Sequence, residues 1–391
     1  MRVLYVASLF RKKSCSASIR NVALVNGLKE LGCSVSVLTI EYPSIVLDPY
    51  LVSSVNEDVN IIELNAGYIS SFIPSIYKGA GVKKENMFSK LKRFVKNVIY
   101  FPGIDKKWIS TVTPKNYKNY DLIISSSDTK TSHFVASKIV RTYPIKWLQI
   151  WGDPWADDVG IKNNFLKLRA SIYEKKLLKS ANFIGYVSLP TAQKVSLQYP
   201  DFAEKIKFIP RNFFKTVEHT VVTNDIFRIA YTGVLKGRDI IPIIKAIDSY
   251  NAANSLRIEL DIFGRISPEQ EKIINDYKAV TYFGEVSLQE VYEVFKRSHA
   301  LLYLGNAAGS SQIPGKLYDY FGTKLPILAL VQDMNDAVTS FILESKRCVV
   351  FKNKSELINL KQLVESHNTV QVLQQYSPAA VASQIIKLIN S

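Results

Sequence analysis

The sequence predicts an α/β protein made of two doubly wound parallel sheets. Three observations carry that expectation. Short apolar runs alternate with helical periodicity along the whole chain, the pattern of parallel strands covered by helices on both faces. The 391 residues exceed the span of one ordinary core. A polar stretch over residues 215–224, just after a break at Pro210-Arg211-Asn212, divides the alternation into halves. The expected boundaries are residues 1–215 and 216–375, with a helix over 376–391 packing back on the first half.

The elements follow in order. Strands of the first half are expected at Val3–Ala7, Ser34–Ile40, Asn60–Leu64, Leu122–Ser125, Lys146–Ile150, Phe183–Ser188 and Ile206–Ile209. Helical patterns fall between them at Ile19–Leu31, His133–Arg141 and Leu166–Lys179. The second half places strands at Phe227–Tyr231, Arg257–Phe263, Val280–Phe283, Ala300–Leu304, Pro326–Ala329 and Cys348–Phe351. Ser267-Pro268-Glu269-Gln270 and Ser287-Leu288-Gln289-Glu290 read as capping boxes, the first with Pro at the first helical position. Ser377-Pro378 opens the last helix in the same way.

Composition bounds the function. Hydrophobic content of 47% and charged content of 21% fit a soluble globular chain. Cys15, Cys33 and Cys348 are scattered without ligand or disulfide spacing, which fits a reducing cytoplasm. The chain opens on an apolar strand, so no signal peptide is expected. No apolar run nears the roughly 20 residues that span a bilayer. Net charge is +16, unevenly spread. From Lys78 to Lys118 there are 11 Lys/Arg against Glu85 and Asp105, a surplus of 11 − 2 = +9. Residues 83–101 interleave Lys84, Lys90, Lys92, Arg93 and Lys96 with apolar residues at helical spacing. That reads as a basic amphipathic helix, either resting on an anionic membrane surface or packed on its own domain with a solvated lysine face. No nucleic-acid module is visible, and no nucleic-acid partner is expected.

The chemistry concentrates at strand ends. Tyr231-Thr232-Gly233-Val234 ends a strand in a glycine turn expected to lead straight into a helix. Gly233 lets backbone approach an anion, and Arg238, with Lys236 in reserve, can neutralise it. The alternative is a plain turn with a surface arginine. The stretch Gln312 to Leu328 is a polar loop, a short helix, a turn and a buried strand. It brings a helix N-terminus, led in by Ser311, Gln312 and Ile313, together with the Asp319 carboxylate, the two groups a nucleoside diphosphate needs. Lys316 either reaches the diphosphate or pairs with Asp319 at i,i+3. In the first half, Trp151-Gly152-Asp153-Pro154-Trp155 places a carboxylate between aromatic faces that suit sugar rings. A helix N-cap role for Asp153 is the other reading. His133 opens a helix after Ser125-Ser126-Ser127-Asp128. No G-x-G-x-x-G follows the first strand, which argues against a nicotinamide or flavin dinucleotide. No Asp-x-Asp or His/Cys cluster suggests a metal, and no cofactor is expected.

Taken together, the run Pro314-Gly315-Lys316-Leu317-Tyr318-Asp319-Tyr320, the Gly233…Arg238 turn, Phe263-Gly264-Arg265, Phe283-Gly284-Glu285-Val286, Asp153-Pro154-Trp155 and Pro210-Arg211-Asn212 resemble family-4 retaining glycosyltransferases of bacterial surface-polysaccharide type. The resemblance implies the GT-B fold, with two Rossmann-like domains facing across a cleft. It implies a metal-independent hexosyltransferase moving a sugar, with retention, from a nucleoside-diphosphate sugar to a glycan or polyprenyl-diphosphate-linked acceptor in lipopolysaccharide or capsule synthesis. The N-terminal domain would be the acceptor side and the C-terminal domain would bind the nucleotide sugar. Arg238, Lys316, His133 and Asp153 would be catalytic. Gly233, Val234, Arg265, Val286, Ser311, Gln312, Ile313 and Asp319 would bind the donor, Val286 holding the base and Asp319 the ribose. Ser311 stands where relatives carry the first of two acids. The implied location is cytoplasmic, at the inner face of the plasma membrane. A sugar-nucleotide epimerase of the same architecture is the second reading. A non-catalytic two-domain binding protein is the third.

Overall fold

The structure, a computed structural model, describes residues 1–67, 92, 94–95, 97–127, 129–156, 161, 163–220, 225–235, 237–306, 311–366 and 370–391. The basic stretch 83–101 lies largely outside them, including Lys84, Lys90, Arg93 and Lys96. The chain forms two compact units, Met1–Phe214 with Pro378–Ser391, and Lys215–Ser377.

The first unit is a seven-stranded sheet of β1 (Arg2–Val6), β2 (Ser34–Ile40), β3 (Asn60–Leu64), β4 (Leu122–Ser126), β5 (Lys146–Trp151), β6 (Phe183–Tyr186) and β7 (Ile206–Phe208). Their order is β3-β2-β1-β4-β5-β6-β7, with every neighbouring pair parallel. Parallel strands are buried on both faces, and β4 accordingly reads as an unbroken buried run. The helix expected to end the chain spans Pro378–Asn390 and lies against the helix Ser16–Glu30. Gly27 makes that approach possible: a Cβ there would sit 2.2 Å from the Pro378 carbonyl oxygen.

The second unit is a six-stranded sheet of β8 (Ile226–Thr232), β9 (Arg257–Phe263), β10 (Val280–Gly284), β11 (Ala300–Leu304), β12 (Ile327–Val331) and β13 (Cys348–Lys352), in the order β10-β9-β8-β11-β12-β13 and again all parallel. Both capping boxes form, Ser267 with Gln270 and Ser287 with Glu290. Each satisfies two backbone donors that a bare helix start leaves open. Both sheets reverse their winding once, at β1/β4 and at β8/β11. At such a reversal the connections leave in opposite directions and open a crevice at the carboxyl ends of the strands. No helix among the described residues is long and apolar enough to cross a membrane.

Two local expectations are corrected. The turn after β8 does not run straight into a helix. The next helix is Ile241–Ala253, with Pro in its first turn, so Arg238 belongs to the preceding loop. Gln270 Nε2 donates to the carbonyls of Leu235 and Arg238 and holds that loop to the neighbouring helix start. The aromatic faces beside Asp153 are not free for a sugar: Trp147, Trp151 and Trp155 are buried, Trp151 beside Tyr186 and Trp155 stacked on Phe101.

Candidate functional site

In the second unit the predicted residues gather at the β8/β11 reversal. Three neighbouring strands end in glycines with positive φ: Gly233 at 124°, Gly264 at 127° and Gly284 at 77°. Side-chain-bearing residues rarely hold those angles. Gly233 N donates to the Phe263 carbonyl and Gly264 N to the Gly284 carbonyl, both at 2.7 Å. A Cβ on Gly264 would lie 2.1 Å from the Gly233 oxygen, and one on Gly233 would lie 2.8 Å from Lys316 Nζ. The glycine at 233 therefore clears the space that the lysine fills.

Arg238 bridges the reversal. Its Nη1 donates to the Val234 carbonyl just past β8 (2.8 Å), its Nε to the Leu304 carbonyl at the end of β11 (3.1 Å), and its Nη2 to Asn306 Oδ1 (2.8 Å). Asn306 Nδ2 in turn donates to the Gln312 carbonyl at 3.1 Å, which links the arginine to the loop before the helix Gly315–Phe321. Lys316, on that helix, puts Nζ 3.9 Å from the centre of the Tyr231 ring. This Nζ is shielded from solvent and has no hydrogen-bond partner among the described residues. The i,i+3 pair with Asp319 is thus not formed, because the ammonium points to the Tyr231 ring and the Gly233 turn. Burial drives the Lys316 pKa well below its ordinary value, and the Arg238 charge adds to the effect. Burial also pushes the Tyr231 hydroxyl up to about 12. Two cations thus converge with no carboxylate partner among the described residues.

The other predicted donor-site residues surround this pair. Ser311 and Gln312 precede the helix, Ile313 is buried beside it, and Asp319 is half-buried one turn beyond Lys316. Arg265 is tied by Nε to Glu285 Oε1 at 2.5 Å, an ion pair that joins the ends of β9 and β10 and leaves Val286 next in line. A shallow recess with room for little more than a water is lined in part by Tyr303, Asn306, Gln312, Gln332 and Asp336.

In the first unit the β1/β4 reversal carries His133, and the loop after β1 carries Lys12, buried with its Nζ 5.9 Å from the centre of the Tyr42 ring and its pKa lowered by burial. His133 is buried in the helix Thr131–Val140, its ring centre 4.3 Å from that of Trp151. Trp147 Nε1 donates to Ser125 Oγ at 2.8 Å, and Ser125 Oγ lies 2.7 Å from His133 Nδ1. Ser125 Oγ, already accepting from Trp147, has its own proton to give to Nδ1, and that pairing goes with the ring proton on Nε2. Nε2 is buried and has no partner among the described residues. Burial, then the Lys130 and Arg20 charges, hold the His133 pKa well below its usual value, so the ring is neutral. Asp153 sits two residues past β5, and its carbonyl accepts from Lys130 Nζ at 3.1 Å.

Sequence reasoning missed several members of these networks. Asn306, Tyr231 and Tyr303 complete the cation pocket, yet in sequence they are one loop residue and two strand residues. Asp105 is buried and accepts from Thr129 Oγ1 (2.6 Å) and Thr131 Oγ1 (2.5 Å) at the start of the His133 helix. Burial raises its pKa. Glu174 accepts the backbone N–H of Trp155 (3.0 Å) and of Ala156 (3.1 Å), fixing the segment after Asp153. No local motif marks either acid.

No protein-family profile matches this sequence, and no curated protein does. Solved structures match along its whole length. HepE of Anabaena, in complex with UDP and glucose, is 11% identical with a TM-score of 0.62, covering 100% of each chain. The UDP-GlcNAc 2-epimerase of Neisseria meningitidis, bound to UDP-GlcNAc, is 12% identical with a TM-score of 0.57, covering 100% of each chain. The lipopolysaccharide outer core galactosyltransferase WaaB is 11% identical with a TM-score of 0.52, covering 100% of this chain and 99% of the other. The fold is GT-B. Transferases and epimerases share it, so at these identities the likeness speaks for architecture, and the reaction is argued from the residues.

Proposed function

We propose that the chain is a retaining glycosyltransferase of family-4 type that uses a nucleoside-diphosphate sugar. The observation that carries the reading is the half-buried pair Arg238 and Lys316 at the β8/β11 reversal, with the Lys316 Nζ shielded from solvent and neither side chain paired to a carboxylate among the described residues. A diphosphate supplies the missing negative charge. Glycines at 233, 264 and 284 let the phosphates approach backbone, Val286 lies where a base would contact main chain, and Asp319 accepts from the ribose hydroxyls. The acceptor hydroxyl attacks the anomeric carbon on the face the diphosphate leaves, and its proton passes to a diphosphate oxygen. The two cations stabilise the charge that grows on the leaving group. His133, neutral and fully buried, reaches a sugar hydroxyl only once the residues that cover Nε2 move aside, and Asp153 stands on the acceptor side. The acceptor is a glycan or a polyprenyl-diphosphate-linked saccharide of the cell surface.

Calorimetric titration with uridine, guanosine, adenosine and thymidine diphosphates tests the pocket. One of them binds the parent, and Arg238→Ala binds about 100-fold more weakly. Absence of binding by all four would sink the reading. Incubation of the matching nucleotide sugar without acceptor separates the reactions: an epimerase interconverts it, whereas a transferase leaves it intact or slowly hydrolyses it.

A further inference from the structure

The helix Gly315–Phe321 carries Lys316 to the Gly233 turn, yet among the described residues no hydrogen bond holds the ammonium itself. Its place is therefore set by the helix. Seven residues are too few for a helix to hold itself in water, where even about 12 to 15 are marginal, so its anchors are tertiary. One lies at the C-terminal end. Arg347 is buried and turns its guanidinium to main chain: Nη1 donates to the Leu325 carbonyl at 3.2 Å, and Nη2 to the carbonyls of Thr323 (2.7 Å) and Tyr320 (3.4 Å). A cation there also suits the negative end of the helix dipole. This anchor fixes the last turn of the helix but not the roll about its axis.

The second anchor is Tyr320, four residues beyond Lys316 and about 40° round the helix, so the two side chains share a face. Tyr320 is buried, with the Phe295 ring edge-on against it at 5.5 Å. Its Oη donates to the Leu302 carbonyl on β11 at 3.3 Å and lies 3.2 Å from Thr232 Oγ1 at the end of β8. The single hydroxyl proton goes to the carbonyl, so Thr232 is the donor to Tyr320. Thr232 stands between Tyr231, whose ring faces the Lys316 ammonium, and Gly233. One hydroxyl thus ties the helix to both strands that meet at the reversal.

We infer, on the diphosphate reading proposed above, that Tyr320 is a positioning residue: its hydroxyl locks the roll of the short helix against the end of β8 and so holds the Lys316 ammonium where the diphosphate meets it. Tyr320 touches no ligand and acts through the lysine. The tolerance is small. A Cβ on Gly233 would already lie 2.8 Å from Nζ, so the ammonium sits close against the turn. A roll that moved Nζ by about 1 Å would press it on that turn or draw it away from the phosphates, and a displacement of that size severely weakens a charged contact.

Tyr320→Phe removes the hydroxyl and keeps the ring, so the core stays filled. Calorimetric titration with whichever of uridine, guanosine, adenosine or thymidine diphosphate the parent binds should give an affinity about tenfold lower in this variant, at unchanged circular dichroism. The same substitution is then made in Lys316→Met. With the ammonium gone, the tyrosine hydroxyl has nothing left to position, so the double variant should bind as Lys316→Met alone does. A tyrosine that only stabilised the fold would lower affinity by one and the same factor in both backgrounds. Full affinity in Tyr320→Phe, or equal factors in the two backgrounds, would overturn the inference and leave the diphosphate reading standing. Absence of binding by the parent to all four would remove that reading and the inference with it.

Discussion

The two units use the same reversal of a parallel sheet in opposite electrostatic ways. At β1/β4 the buried polar side chains are mostly tied to neighbours within the unit: Arg20 to Ser126 and Ser127, Arg211 to Ser16, Asp105 to two threonines, and Ser125 to Trp147 and His133. Among the described residues at β8/β11, the arginine is held by neutral oxygens alone and the lysine beside it by no hydrogen bond. A satisfied network fixes shape, whereas two converging cations without counter-charge cost stability until an anion arrives. The contrast supports the proposal that the diphosphate binds in the second unit. Among the described residues of the first unit, the buried side-chain atoms without a hydrogen-bond partner include His133 Nε2, Tyr42 Oη, Trp108 Nε1 and Tyr186 Oη.

Removing one cation from each unit breaks the comparison most sharply. Lys316→Met should weaken nucleoside-diphosphate binding about 100-fold, the worth of a charge-assisted contact in a shielded pocket. It should also raise the unfolding free energy of the free protein by about 1 kcal/mol, because a buried ammonium without a partner is replaced by an apolar chain. Arg20→Met should do the reverse and lower stability by about 3 kcal/mol, since the Ser127 carbonyl and the Ser126 hydroxyl lose their buried donor. Urea unfolding of both variants checks the signs. Equal losses would mean that Lys316 is an ordinary structural residue.

A substitution among the stacked strand ends is next in size. Gly264→Ala puts a methyl group 2.1 Å from the Gly233 oxygen, at a φ of 127° that a side chain resists. Stability should fall by about 2 kcal/mol, and nucleotide affinity should fall with it because the Gly233 turn must shift. Gly32 is the control. It also has positive φ, but a Cβ there meets nothing within 4 Å, so Gly32→Ala should show the backbone cost alone and leave binding intact.

How much of this was legible in the sequence divides along physical lines. Strand positions were readable because a parallel strand buried on both faces is a short unbroken apolar run, as at β11 and β12. Helix starts were readable where serine and a residue three positions on cap each other. Within the pocket, glycine at 233 and the Lys316 helix were readable because they are local in sequence. The direction of Lys316 was not, since an i,i+3 carboxylate offers a plausible partner and only the fold brings Tyr231 beneath the ammonium. Asp105 and Glu174 were invisible for the same reason: their donors lie 24 to 26 and 18 to 19 residues away. The tryptophans misled because an aromatic face suits a sugar ring and a core equally well.

Acid should expose the buried histidine of the first unit. The unfolded chain gains a proton on His133 near its ordinary pKa of 6.5, while the folded protein, with that pKa driven well down, does not. Above 6.5 both states are neutral and the full stability is present. Below it the unfolded state binds more protons, and stability is lost as pH falls toward the folded pKa. The loss between pH 6.5 and 5.5 should be about 1 kcal/mol. His133→Gln should flatten that part of the profile, and an unchanged slope would mean that other groups carry it.

The smallest effect tests the second unit by the same linkage with the opposite outcome. Lys316 is depressed by burial and by the Arg238 charge, so in the free protein its proton is loosely held. A diphosphate placed beside Nζ favours the charged form and raises the pKa toward its ordinary value. Binding therefore takes up part of a proton wherever the pH lies between the two values, and affinity falls as pH rises, by no more than about tenfold per unit. Titration calorimetry in buffers of different ionisation enthalpy measures that uptake directly. It should vanish in Lys316→Met and persist in His133→Gln. Uptake that persists without the lysine would assign the proton to the ligand and leave the Lys316 cation outside the diphosphate site.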